Sequence, residues 1–111
     1  LKAELISCVT GMDIDEEGLT QIARRVINLV RACNVRLGLV RKDDSVSKLF
    51  FKGSAFPPLE RDKIDPATFN KLISRFYEIM GWDNKGVPTR ETLDGLDLSF
   101  VGEGLLRRSV D

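Results

Sequence analysis

The strongest pattern in this sequence is a run of apolar residues between positions 19 and 33 that recurs at spacings of three and four. At about 100° per residue, these side chains fall on one face of an α-helix. Asp13, with Glu16 three residues later, has the side-chain pattern of an N-cap and its capping box, and Gly38 supplies a stop. We therefore predict an amphipathic helix between Asp13 and Gly38. Its buried face is expected to consist of Leu19, Ile22, Ala23, Val26, Ile27, Val30 and Cys33.

Two further helices are predicted from signals at their ends. Residues 1–10 carry apolar residues at helical spacing and end at Gly11, which is typical of the position after a helix C-terminus. Asp65 followed by Pro66 combines an N-cap carboxylate with proline at the first helical position. We expect that helix to end at Gly81.

The remainder of the chain is divided into short segments. Residues 39–64 form a long irregular loop in which we place one helical turn, over residues 45–51. We predict a turn over residues 82–88, with Trp82 as a packing anchor. Over residues 89–106 we predict a short helix capped by Thr89, followed by a last amphipathic segment. The predicted fold class is all-α, an irregular multihelical domain of four to five helices.

Composition narrows the possible functions. Among 111 residues, 17 are basic and 17 acidic, so the formal net charge is zero. Nucleic-acid binders usually carry an excess of Lys and Arg, and we therefore expect no nucleic-acid partner. The apolar runs are far shorter than the roughly 20 residues needed to cross a bilayer. Because the sequence also shows no charged-then-apolar leader, we expect a cytoplasmic protein without a membrane partner.

The chain has too few metal-ligating side chains for a redox centre of its own. It contains no histidine, which excludes Ser–His and Cys–His nucleophile pairs and His-ligated zinc. Its two cysteines, Cys8 and Cys33, cannot supply the four thiolates of an iron–sulfur cluster. We interpret both as reduced residues of the core, since unpaired cysteine is often buried.

Positive charge is concentrated in one segment. No acidic residue occurs between Gly18 and Lys42, whereas several arginines do. This segment could face an acidic partner surface. The interpretation we favour is that these arginines, Arg31 among them, are solvated and lie around a buried helix face. We expect residues 41–44 to form local salt bridges.

Three segments together resemble one enzyme family. They are VTGMDIDEEGL at residues 9–19, NVRLGLVRKDDSVSKLFF at residues 34–51, and FYEIMGWDNKGVPTRETLDGLDL at residues 76–98. In this order and spacing they resemble the C-terminal helical domain of the tungsten- and molybdopterin-dependent aldehyde:ferredoxin oxidoreductases. The third segment is the most specific of the three, and the resemblance covers roughly residues 1 to 98.

The resemblance implies a larger parent enzyme. Such a parent would oxidise aldehydes to carboxylic acids, pass electrons to ferredoxin, and bind a tungsten- or molybdenum-bis-pterin centre and a four-iron–four-sulfur cluster. No catalytic, cofactor-binding or metal-binding residue of the family matches a position of this chain. We therefore expect residues 1–111 to be one helical domain, a C-terminal fragment that holds no cofactor, is inactive alone, and packs on upstream domains of the same polypeptide.

One surface is predicted to face the rest of such an enzyme. The segment from Arg36 to Phe51 is irregular, charged and flanked by aromatic residues, so we expect it to form an inter-domain or substrate-channel surface. The candidate residues are Arg36, Arg41, Asp43, Asp44, Phe50 and Phe51. The alternative hypothesis is an autonomous helical protein-binding module without enzymatic activity.

Overall fold

A computed structural model describes residues 1–52 and 63–108, and it confirms the all-α class. Over these residues the chain forms six α-helices and one short 3₁₀ turn, Arg41–Asp43. The α-helices are α1 (Lys2–Thr10), α2 (Glu16–Arg36), α3 (Lys48–Lys52), α4 (Pro66–Met80), α5 (Arg90–Gly95) and α6 (Ser99–Arg108). Most of the predicted loop over residues 39–64 is described, and its residues 53–62 lie outside the described part.

Several predicted helix ends are confirmed. The Asp65 carboxylate caps α4 by accepting a hydrogen bond from the Thr68 amide at 3.0 Å. Gly11 and Gly81 terminate α1 and α4, both in the left-handed conformation, with φ of 72° and 74°. Thr89 caps α5 through its hydroxyl, which accepts a hydrogen bond from a backbone amide of that helix.

The predicted start of α2 is wrong by two residues. Asp15, and not Asp13, is the N-cap, because its carboxylate accepts a hydrogen bond from the Gly18 amide at 2.7 Å. The cause lies in α1. The Ser7 hydroxyl donates to the Ile14 carbonyl at 3.0 Å and accepts from the Ile14 amide at 3.1 Å. These two hydrogen bonds occupy both backbone groups of Ile14, so α2 begins only at Glu16.

The apolar stripe of α2 is not buried, contrary to our prediction. Four of its aliphatic side chains are at least 41% exposed, and the buried residues of α2 are Asn28, Arg31 and Ala32. These three lie on the opposite side of the helix from the stripe. The helix therefore packs on the rest of the chain through its polar side.

The apolar core of the described residues is small and lies at the other end of the chain. Leu93, Leu96 and Leu98 form a buried cluster at α5 and the start of α6, with Val101 packed against it. The chain measures 51 × 45 × 20 Å, and its radius of gyration is 18.2 Å. A compact domain of 100 residues has a radius of gyration of about 13 Å. The fold is therefore a thin slab with large apolar faces.

Replacing Gly81 should test the junction of α4 with α5. In Gly81→Ala a Cβ would overlap the Thr92 side chain, whereas at Gly11, which has almost the same φ, a Cβ would meet nothing within 4 Å. We expect Gly11→Ala to lower the free energy of unfolding by about 1 kcal/mol, the cost of the left-handed backbone alone. Gly81→Ala should cost at least about 1 kcal/mol more. Urea unfolding of the two variants measures both, and equal losses would contradict the clash.

Candidate functional site

The most elaborate arrangement in the described residues is a buried polar cluster centred on Arg31. Asn28 and Arg31, three residues apart on α2, point towards α4 and the turn over residues 82–88. They are 1% and 8% exposed, respectively. Arginine is almost never this buried unless it is paired. The cluster therefore needs a carboxylate within reach.

Asp44 supplies that carboxylate. The two terminal nitrogens of Arg31 bind its two oxygens, at 2.7 Å from Nη1 to Oδ1 and 2.5 Å from Nη2 to Oδ2. The remaining nitrogen of the guanidinium, Nε, donates a hydrogen bond to the Gly86 carbonyl at 2.8 Å. A two-point contact of this kind fixes both distance and orientation. It joins α2 to the end of the 3₁₀ turn and to the turn over residues 82–88.

Two aromatic rings enclose the ion pair. The Arg31 Cζ lies 4.6 Å from the centre of the Trp82 ring and 5.6 Å from that of Tyr77. The Tyr77 hydroxyl donates to Asp44, and the Trp82 Nε1 donates to the Asn28 side-chain oxygen at 2.8 Å. Cation–π contacts of this kind strengthen when water is excluded. Every buried side-chain nitrogen or oxygen in the described part of the chain has a partner.

The cluster shifts the pKa values of two of its members, and the two shifts are opposite in sign. Hydrogen bonding from Arg31 lowers the pKa of Asp44, and the Tyr77 hydroxyl lowers it further, while burial opposes both. Burial raises the pKa of Tyr77, and its hydrogen bond to Asp44 adds to that effect. Near neutral pH the pair is therefore ionised and Tyr77 is a protonated donor.

The turn over residues 82–88 is shaped to reach Arg31. The Asp83 carboxylate accepts hydrogen bonds from the Lys85 and Val87 amides at 2.9 and 3.0 Å. Gly86 has φ of 80°, and a Cβ there would overlap Arg31 and the Tyr77 ring. Glycine is therefore required for the backbone carbonyl to approach the guanidinium.

Arg41 forms a second link beside the cluster. Its Nη1 donates to the Asn84 carbonyl at 2.8 Å, and its Nη2 donates to the side chains of Asn70 and Ser74 at 2.8 and 2.7 Å. Its Cζ lies 5.1 Å from the centre of the Tyr77 ring, on which Arg31 also lies. Arg41 thus ties the 3₁₀ turn to α4 through neutral acceptors.

A family profile matches most of the chain. The profile described as "Aldehyde ferredoxin oxidoreductase, domains 2 & 3" matches residues 1–98. The chain belongs to the aldehyde ferredoxin oxidoreductase family. The matched region of this chain includes all four central residues of the cluster, Arg31, Asp44, Tyr77 and Trp82.

Two curated relatives are tungsten-containing aldehyde ferredoxin oxidoreductases. The one from Pyrococcus furiosus is 26% identical over 97 residues, which cover 86% of this chain and 16% of the relative. The one from Thermococcus kodakarensis is 25% identical with the same coverage. The chain thus spans about one sixth of the length of the curated relatives it matches.

A solved structure is similar across nearly the whole chain. It is the active site complex BamBC of benzoyl coenzyme A reductase in complex with 1,5-dienoyl-CoA. The TM-score is 0.78 and the identity 31%, and the match covers 99% of this chain and 15% of that one. The helical arrangement of this family member therefore also occurs within a much longer chain.

The structure divides the six residues predicted for an inter-domain surface of this aldehyde ferredoxin oxidoreductase family member. Arg41 and Asp44 belong to the buried cluster or its border, as described above. Asp43 accepts a hydrogen bond from the Val40 amide at 2.9 Å, and Phe51 packs edge-on against Phe69 with ring centres 5.5 Å apart. Arg36 and Phe50 are exposed. The role of all six in a contact with other domains stays a prediction.

Three sequence interpretations are corrected by the structure. Arg31 is buried and paired, not solvated, because Asp44 and two aromatic rings enclose it. Asp44 pairs with this distant arginine and not with Arg41 or Lys42, so the expected local salt bridges are wrong. Cys8 and Cys33 are free, as expected, but both are exposed.

Sequence reasoning missed Asn28, Tyr77 and Gly86 as members of the cluster, whereas Trp82 is confirmed as a packing anchor. One signal was present in α2. Asn28 and Arg31 lie three residues apart on the side opposite the apolar stripe, and a polar residue that faces the fold needs a partner. In the described residues no group of three or more His, Cys, Asp or Glu side chains could hold a metal ion. No described helix has the length and hydropathy of a membrane span.

The contribution of Asp44 to stability should depend on pH. Because its pKa is lower in the folded chain than in the unfolded chain, the ion pair stabilises the fold above the unfolded pKa of about 4, and this stabilisation is lost as pH falls through the folded value. We expect Asp44→Asn to lower the free energy of unfolding by about 2 kcal/mol at pH 7.

The difference between wild type and Asp44→Asn should shrink below pH 4 or so, where protonation removes the charge from wild type as well. Urea unfolding at a series of pH values measures it. If the difference in the free energy of unfolding between wild type and Asp44→Asn stays constant down to the lowest pH measured, the ionised carboxylate does not stabilise the fold.

Proposed function

We propose that the chain is one helical domain of a tungsten-containing oxidoreductase and that its role there is structural. The observation that carries this proposal is the family match over residues 1–98 in a chain that spans one sixth of its curated relatives. The Arg31 cluster supports a structural role, since it joins α2, the end of the 3₁₀ turn and the turn over residues 82–88.

The parent is proposed to bind a tungsten- or molybdenum-bis-pterin centre and a four-iron–four-sulfur cluster. The curated relatives are tungsten-containing by name, which favours tungsten. In the described residues no group of three or more His, Cys, Asp or Glu side chains lies together, which supports placing the iron–sulfur cluster elsewhere in the parent. A four-iron cluster takes four thiolates, and this chain has two cysteines. We therefore propose that reactivity belongs to other parts of the parent and that this chain is inactive alone.

Aldehyde oxidation is the activity we propose for the parent, with ferredoxin as the electron acceptor. It is supported by the names of the family and of both curated relatives. A second candidate is a reaction on a coenzyme A thioester. It is favoured by the structural neighbour, which is a benzoyl coenzyme A reductase complex at 31% identity.

Within the parent, we propose that the segment from Arg36 to Phe51 forms part of the surface that backs the substrate channel. Arg41 and Asp44 hold this segment against α4 and α2, which leaves Phe50 directed outward at 54% exposure. An autonomous binding module would be expected to bury more of its apolar surface than this thin slab does.

The metal content and activity of the native protein that carries this chain test the proposal. After anaerobic purification, we expect stoichiometric tungsten and iron by mass spectrometry, and reduction of a viologen dye that depends on an added aldehyde. The separate 111-residue chain should show neither. Turnover of a coenzyme A thioester without aldehyde turnover would favour the second candidate. A native protein without tungsten or molybdenum would contradict the proposal.

A further inference from the structure

The outward face of α2 is an unusually apolar surface for an exposed helix. Four aliphatic side chains along it, and a fifth directly after its last residue, are between 41% and 82% exposed. They are Ile22, Val26, Ile27, Val30 and Leu37. The helix has 21 residues and is therefore about 30 Å long. Exposed apolar patches of this extent mark interaction surfaces.

The chain cannot cover this stripe by rotating α2. The rotational setting of the helix is fixed on its other side, where Asn28 accepts from Trp82 and Arg31 pairs with Asp44. Turning the stripe inward would break the buried ion pair and expose the aromatic rings that enclose it. The stripe is therefore available to a partner.

Charge along one border of the stripe limits the chemistry of that partner. Arg25 and Arg36 are eleven residues apart, which places them on the same edge of the helix. Both are exposed, and neither has an ion-pair partner in the described part of the chain. No carboxylate occurs in the sequence from Gly18 to Lys42. The complementary surface is thus apolar and bordered by carboxylates.

We infer that the outward face of α2 docks on an apolar strip, bordered by acidic side chains, in the remainder of the parent polypeptide. This inference rests on the proposed function and names the surface through which the domain is held. The length of the relatives favours this occupant, since most of each matched chain lies outside the part that resembles this one. A second copy of the chain is a poorer occupant, because its α2 would bring a face bordered by the same two arginines, and no carboxylates, against Arg25 and Arg36.

Thiol labelling in the native parent tests the docking directly. Val30, in the middle of the stripe and 53% exposed, is replaced by cysteine, and the matched control is Lys71→Cys on the exposed side of α4. Each variant is alkylated with N-ethylmaleimide, natively and in urea, and the modified peptide is quantified by mass spectrometry. We expect native labelling at Val30→Cys to be at least about 100-fold slower than in urea, and Lys71→Cys to differ little.

Charge reversal tests the acidic border. Arg25→Glu in the Val30→Cys background should raise the native labelling rate by about tenfold, because the new carboxylate faces acidic side chains. Lys71→Glu in the same background is the control and should leave the rate unchanged. No change with Arg25→Glu would overturn the acidic border.

Two further results would overturn the docking. One is equal labelling of Val30→Cys in the native and urea-treated parent. The other is protection that disappears when the parent is diluted to monomers, which would assign the stripe to a second copy. Tungsten measured in the same sample separates the two proposals. Free labelling in a tungsten-loaded parent counts against the docking alone, whereas absence of tungsten counts against the proposed function.

Discussion

The fold depends on one ion pair, in which Arg31 is buried and Asp44 is partly buried. Arg31 and Asp44 bind each other through two contacts, and the Gly86 carbonyl and two aromatic rings complete the shell around them. A charge taken out of water is stable only when it is paired and hydrogen-bonded, so each member of the shell requires the others. Three segments that are distant in sequence are held together at this point. In a thin chain with a small apolar core, this cluster takes the place of a larger hydrophobic interior.

The ion pair also explains why α2 presents its apolar side outward. A helix that buries Asn28 and Arg31 must expose the residues on its opposite face, and in this chain that face is aliphatic. A self-contained domain would have the reverse arrangement. Two curated relatives are more than five times as long as this chain, and we propose that other parts of such a parent cover the aliphatic face of α2.

Local features were predictable from the sequence, whereas the orientation of α2 was not. The ends of α4 were identified by Asp65 with Pro66 at its start and by Gly81 after its last residue. These residues act through contacts within a few positions of the chain, so the sequence pattern alone reveals them. The burial of Arg31 depends on a carboxylate thirteen residues away and on rings about fifty residues away. The amphipathic pattern of α2 located its apolar face correctly. The error was to assume that this face is buried within the chain.

A double-mutant cycle on Arg31 and Asp44 tests this account most directly. Free energies of unfolding are measured for Arg31→Met, Asp44→Asn and the double variant, beside the same cycle on the exposed pair of Arg75 and Glu78. We expect a coupling energy of at least about 2 kcal/mol for the buried pair and below about 0.5 kcal/mol for the exposed pair. Additive losses at Arg31 and Asp44 would contradict the claim that their ion pair holds the fold together.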